Sequence, residues 1–153
     1  MNIFVTNADP RVSAQALDDK RVIKMILETA QMLSTAMHVL GIPGAPYKPT
    51  HINHPCSIWV RTNWNNFRWT TVHLDELCTE YWRRYGKIHK CAQYLNLFAQ
   101  ANDSLLIADL TPFANCTPHK DMSTIEAYKR TLNEKWALDK RAPTWKNGCK
   151  PNW

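Results

Sequence analysis

Four polar residues spaced by three and four along one stretch, Arg21, Lys24, Glu28 and Gln31, are the first place where chemistry is legible in this chain. At that spacing they share one face of a helix. Their neighbours Val22, Ile23, Met25, Ile26, Leu27 and Met32 are apolar. A polar stripe bordered so closely by apolar residues is expected to line a cleft. A carboxylate held between cations stays ionised and can stabilise an oxocarbenium-like centre, and an amine beside it can attack a sugar carbon. Arg21, Lys24 and Glu28 are therefore the candidate catalytic residues, with Lys20 and Gln31 beside them as candidate phosphate or nucleic-acid contacts. The alternative for Lys24 and Glu28 is an ordinary ion pair one helical turn apart, worth a few tenths of a kcal/mol.

A second constellation lies in the run Tyr47-Lys48-x-Thr50-His51-x-Asn53-His54-Pro55. Pro55 suits the first turn of a helix, so the free N–H groups of that turn and the side chains of Lys48, His51, Asn53 and His54 would converge on a phosphate. Capping of the helix by Asn53 or His54 is the structural alternative. The pair His51-x-x-His54 has no further ligand at zinc spacing, so no metal and no cofactor are expected. Nor does anything pair a cysteine with a base. Arg83-Arg84-Tyr85-Gly86-Lys87-Ile88-His89-Lys90 gathers a third cluster at a helix end, where basic residues also suit the helix dipole. With Arg61 and Arg68, the residues Arg84 and His89 would extend a basic track for a phosphate backbone. Trp59 and Trp69 fall off the apolar stripe and are either stacking faces or core.

The elements that must position these groups are helical. A helix is expected from Ser13, as N-cap, to Leu40, stopped by Gly41 and Pro43, with Ile23, Ile26, Leu27, Ala30, Leu33, Met37 and Leu40 inward. Residues 41–54, rich in Pro and Gly, form a loop long enough to be functional. A second helix is expected from Pro55 to Tyr85, ended by Gly86, burying Val60, Trp64, Phe67, Thr71, Leu74, Cys78, Tyr81 and Tyr85. A shorter helix fits residues 88–101, and residues 105–118 read as irregular. Ser123-x-x-Glu126 is a capping box that opens a last helix to about Leu138. Ile3-Phe4-Val5 reads as a short extended run, and the tail is expected to wrap back through Trp145 and Trp153. The fold class is all-α: a compact single-domain helical bundle spanning residues 1–153, with two long helices and irregular loops.

Bulk properties narrow the partners. The chain has 153 residues and a formal net charge of +6, the excess lying mostly in its second half. That balance favours an anionic partner, nucleic acid or a nucleotide. Apolar runs are too short for a membrane span, and the N-terminus lacks a signal-peptide pattern, so no membrane partner and a cytoplasmic location are expected. Five cysteines without C-x-x-C spacing are expected to be reduced and mostly buried. Oligomeric state is not legible.

Taken as an ordered set, Ser13-Ala14-x-x-Leu17-Asp18-x-Lys20-Arg21-x-x-Lys24-x-x-x-Glu28-x-x-Gln31, then Asn53-His54-Pro55-x-x-x-Trp59, and Glu80-x-x-x-Arg84-Tyr85 resemble the pyrimidine-dimer DNA glycosylases of the endonuclease V type. The similarity spans roughly residues 10–90, and related small phage proteins share the pattern further along the chain. The resemblance implies an all-helical fold, binding of double-stranded DNA, and cleavage of a base–sugar bond by an amine nucleophile, with possible onward lyase chemistry. In that family the amine is the chain's own α-amino group after removal of Met1, assisted by a glutamate and arginines on the first long helix. Arg21 carries over as a phosphate or base contact and Glu28 as the acid. In register, however, Val22 or Ile23 falls near the family's glutamate, with Glu28 a turn or more later, and Asn2 is bulky for methionine removal. Two other readings use the same residues: a phage protein that binds or hydrolyses a free nucleotide, and a DNA-binding module without catalysis.

Overall fold

The computed structural model describes residues 1–101 and 105–153, and every regular element among them is helical. The order is α1 (Pro10–Ala16), α2 (Asp19–Val39), α3 (Pro55–Val60), α4 (Trp64–Tyr85), a 3-10 turn (Lys90–Tyr94), α5 (Leu95–Ala101) and α6 (Thr124–Leu138). None of these helices is long and apolar enough to cross a membrane.

Both long helices expected from the sequence are broken near their starts. The first begins earlier, because the Asp9 carboxylate caps the Arg11 N–H and Pro10 takes the first turn. It then breaks at Leu17 and Asp18, both extended, before α2 begins. Asp18 does not cap α2 with its side chain. Its Oδ1 instead accepts from Arg21 Nη1 at 2.9 Å and from Trp136 Nε1 of α6 at 2.8 Å. The second helix breaks at Arg61–Asn63, where Asn63 caps the Asn66 N–H and opens α4. Asn66 closes the gap by donating to the Trp59 carbonyl at 2.8 Å. The terminators behave as expected. Gly86 adopts φ 65° and Gly41 φ 70°, the left-handed conformation that ends a helix with little penalty only for glycine. Ser123 caps α6 as the capping-box pattern requires.

The expected helix over residues 88–101 is shorter and begins as a 3-10 turn. Residues 105–118 are irregular, as read from the sequence, and the asparagines of α4 hold them in place. Asn63 and Asn65 donate to the carbonyls of Asp109 and Ala108, and Asn66 exchanges two hydrogen bonds with Thr111.

Helix α4 packs on α1 and α2, and α2 also packs on α3. The buried face of α2 is Val22, Met25, Ile26, Ala30, Met32, Leu33, Ala36 and Met37. Ile23, Leu27 and Leu40, assigned inward from the sequence, are exposed, while Val22, Met25 and Met32 are buried beside Ile26, Ala30, Leu33 and Met37, so the core stripe is centred on the other side of these residues. In α4, Phe67, Thr71, Leu74 and Cys78 are buried as expected, whereas Trp64, Tyr81 and Tyr85, also assigned inward, are only half-buried. Trp59 and Trp69 are buried too, 5.9 Å apart edge to face and both against Phe113, so neither is a free stacking platform. The tail returns as expected: Trp145 donates to the Ala16 carbonyl, and Trp153 stacks on Trp136. Cys56, Cys78 and Cys91 are buried, Cys116 is half-buried and Cys149 exposed, all unpaired by disulfides.

Arg84 is the most constrained charge in the fold, its side chain 1 % exposed. It donates to the carbonyls of Leu17 and Gln15 and pairs with Asp19 and Glu80. Truncating one partner of such a buried network leaves the other charge uncompensated. Arg84→Ala is expected to lower unfolding free energy by about 3–5 kcal/mol, measured by urea denaturation; an effect below about 1 kcal/mol would contradict that role. Buried His73, stacked on Trp69, donates Nδ1–H to the Pro10 carbonyl, and desolvation pushes its pKa down from 6.5 to about 4. Neutral when folded but protonated when unfolded below its ordinary value, it costs nothing above pH 6.5 and destabilises progressively toward pH 4. The expected loss over that window is about 3 kcal/mol at most. His73→Gln should flatten this stretch of the stability–pH curve.

Candidate functional site

Glu28 lies on α2, three turns into the helix and about 15 % exposed at its side chain. Its carboxylate is where the start of the chain arrives. The Asn2 backbone N–H donates to Glu28 Oε2 at 3.0 Å, and the Met1 ammonium lies 3.6 Å from the same oxygen. Lys24 Nζ approaches the other oxygen, Oε1, at 3.4 Å from the exposed side. One carboxylate thus meets two nitrogens of the main chain and one side-chain amine.

The approach of the terminus is built locally. Asn2 Oδ1 accepts from the N–H groups of Ile3 and Phe4, folding the first residues into a tight turn. Phe4 takes φ 53°, a left-handed conformation costly for a bulky residue, so the run Ile3-Phe4-Val5 is not a simple extended strand. Burial of the Phe4 ring, edge-on to Tyr128 at 6.0 Å, offsets that cost. Ser13 of α1 then fixes the exit: its Oγ accepts from Thr6 and Asn7 and donates to the Asn7 carbonyl.

The 41–54 loop closes over the same region. Thr35 of α2 exchanges two hydrogen bonds with the Thr50 backbone, at 3.0 and 3.1 Å, and His38 contacts the Tyr47 carbonyl. His51 follows at φ 48°, its Nδ1 2.8 Å from the Thr50 hydroxyl. A non-glycine residue held left-handed beside a candidate site is strain that the surrounding contacts maintain. His54, not Asn53, is the N-cap of α3, accepting from the Cys56 N–H through Nδ1. Its pKa is lowered, first by burial and then by the neighbouring terminal ammonium and His51, with Glu28 opposing. Met1, Glu28, His51 and His54 therefore share one electrostatic environment.

The sequence-predicted residues divide accordingly. Lys24 and Glu28 come together at the terminus, His54 feels the charges of both the terminus and Glu28, and exposed His51 neighbours His54. Gln31, one turn beyond Glu28, is half-buried, and Lys20, Lys48 and Asn53 are exposed. Lys20 pairs with Asp139. Arg21 faces inward, bridging Asp18 and Asp139 with one Nη, and these contacts raise its pKa against the opposing effect of burial. Arg84 is sealed beneath the α1–α2 corner, with no face for a phosphate. Arg61 donates to the Ile52 carbonyl at 2.7 Å and so braces the loop. His89 caps the 3-10 turn through Nδ1 and packs edge-on against Tyr81. Sequence spacing brought Glu28 into view, but not its backbone partner at residue 2. It also missed the approach of Cys116 to Cys56, sulfur to sulfur 3.4 Å, across sixty positions. No local pattern signals either contact.

Thr35→Val keeps the volume of the side chain while leaving the Thr50 N–H and C=O unpaired. A loss of about 1–2 kcal/mol is expected, with faster hydrogen exchange at the Thr50 amide; unchanged exchange would show that the loop is held elsewhere.

Compared with known proteins, the chain matches the family model described as pyrimidine dimer DNA glycosylase over residues 1–94. No curated protein and no solved structure matches it. The matched stretch contains α1 to α4, the 41–54 loop and every residue around Glu28.

Proposed function

Since the chain belongs to the pyrimidine dimer DNA glycosylase family, a DNA glycosylase-type function with DNA as partner, we propose that it excises a modified or damaged pyrimidine from double-stranded DNA with its terminal amine as nucleophile and Glu28 as the assisting carboxylate. The observation that carries this reading is the meeting of the chain's start with Glu28 Oε2. The Met1 and Asn2 nitrogens lie 3.6 and 3.0 Å from it, so an amine at either residue is within reach.

In the reaction, the free amine attacks C1′ of the damaged nucleotide, forming an N–C1′ bond as the C1′–base bond breaks and its electron pair leaves with the base. Glu28 takes the proton the amine releases and supports the positive charge that develops at C1′. The departing base takes a proton from solvent, and as the C1′–O4′ bond breaks O4′ takes the proton held by Glu28, leaving a protonated imine. Hydrolysis of that imine frees the amine and completes the glycosylase step. Removal of a C2′ proton instead expels the 3′ phosphate and nicks the strand, which is the lyase branch. Access to C1′ requires the damaged nucleotide to leave the stack. Exposed Lys24, Lys48, His51 and Asn53 are suited to hold phosphates around the site, with Gln31 at its edge. Arg21 acts indirectly, by holding the start of α2 against Asp18 and Asp139.

The test is borohydride trapping on duplex DNA carrying a cyclobutane dimer or an abasic site, with mass spectrometry to locate the adduct. An adduct on the first residue of the mature chain is expected. An adduct on Lys20 or Lys24 overturns the choice of amine, and absence of both adduct and nicking overturns the lyase branch. Glu28→Gln is expected to lower turnover by at least about a hundredfold while leaving DNA affinity equal or better. Turnover that survives the substitution removes Glu28 from the mechanism.

A further inference from the structure

Three side chains that the proposed chemistry does not use converge beside that site. His54 and Cys56 stand at the start of α3, and Cys116 comes from the irregular segment that follows α5. One ring nitrogen of His54 and the two sulfurs all lie within 4.8 Å of one another. The sulfurs themselves are 3.4 Å apart. Two thiolates on a tetrahedral zinc ion, each at about 2.3 Å, stand about 3.8 Å from each other. The two sulfurs therefore need to part by only tenths of an ångström to share an ion, and a His54 ring nitrogen within 4.8 Å of both completes the set.

The scaffold around them is fixed. Pro55 sets the first turn of α3 between the two ligands it carries. Tyr128 of α6 clamps the backbone at Cys116: its hydroxyl accepts the Cys116 N–H at 3.2 Å and donates to the Ala114 carbonyl at 2.9 Å. Cys56 is fully buried, whereas His54 and Cys116 are half-buried, so the cluster has a closed floor and a side open to solvent. Two sulfurs and an imidazole suit zinc, not magnesium or calcium, which take oxygen ligands.

We propose that His54, Cys56 and Cys116 bind one zinc ion, with water in the fourth position, as a clamp between α3 and the segment carrying Cys116. Binding exchanges the hydrogen bond between the Cys56 and Cys116 sulfurs for bonds to the ion, and it releases the thiol protons to solvent. Cys116 lies outside residues 1–94, so the clamp ties the stretch that matches the family to the stretch that does not. It stands independently of the glycosylase reading.

The experiment uses the full chain, reduced, stripped with a chelator and desalted, and titrated with cobalt(II) alone. A thiolate-to-cobalt charge-transfer band that saturates at one equivalent and is bleached by zinc is expected. Cys116→Ser and His54→Ala should each weaken binding at least tenfold, and Cys149→Ser should leave it unchanged. The thermal midpoint should rise with one equivalent of zinc in the parent chain but not in Cys116→Ser. Cys56→Ser removes a buried group, so the two half-buried positions carry the test if that variant does not fold. No band, a band that follows Cys149, or a Cys56–Cys116 disulfide that persists under the reducing conditions would each overturn the proposal.

Discussion

Arg84 reaches from α4 into the corner between α1 and α2, and the course of α2 depends on what it finds there. Breaking a helix at Leu17 and Asp18 leaves carbonyls without intrahelical partners. The guanidinium takes up those of Leu17 and Gln15 while pairing with Asp19 and Glu80. Arg21 secures the other side of the same corner, joining Asp18 to Asp139 at the end of α6. Buried charges contribute little net stability, because desolvation offsets most of the attraction. Their consequence here is geometric. With the corner held, α2 leaves at one angle and one rotation, and Glu28 is carried to one place.

Around Glu28 the molecule keeps several groups in conformations they would not adopt alone. Phe4 and His51 are both left-handed, and each is held by neighbours: Phe4 by Asn2 and by its buried ring, His51 by the Thr35–Thr50 bonds that anchor its loop. Both sit within a few residues of the carboxylate's surroundings. The turn at Asn2 and the hydroxyl of Ser13 fix the position of a segment that has no helix or strand to hold it. The aromatic clusters support this from below. Trp59, Trp69 and Phe113 bind α3 and α4 to the later irregular segment, and Trp136, Trp145 and Trp153 fasten the tail.

The two broken helices show how a local signal is outweighed. Asn63 is a good residue for a helix start, yet Val60, Trp64 and Phe67 continue the apolar spacing across it, so periodicity alone reads straight through the break. The same happens at Leu17 and Asp18. Arg84, read as one of several basic residues at a helix end, is the opposite error. Its charge suggested a phosphate, while its burial followed from a corner that no local pattern contains. His54 could be read either as cap or as phosphate ligand, and the cap was made because Pro55 forces the α3 N-terminus next to its ring.

The all-helical class, the stops at Gly41 and Gly86, the cap at Ser123, the return of the tail through its tryptophans and the face shared by Lys24 and Glu28 were determined by the sequence itself. Apart from the tail, whose apolar tryptophans had to find cover somewhere on the fold, each rests on contacts between residues a few positions apart, or on the backbone preferences of glycine and proline. The tertiary structure alone decided that Glu28 receives the start of the chain, that Arg21 and Arg84 are internal struts, and that Cys56 meets Cys116. Those contacts join residues 26, 118, 65 and 60 positions apart. Over such separations the partner is chosen by how the helices pack, and spacing along the chain carries no record of it.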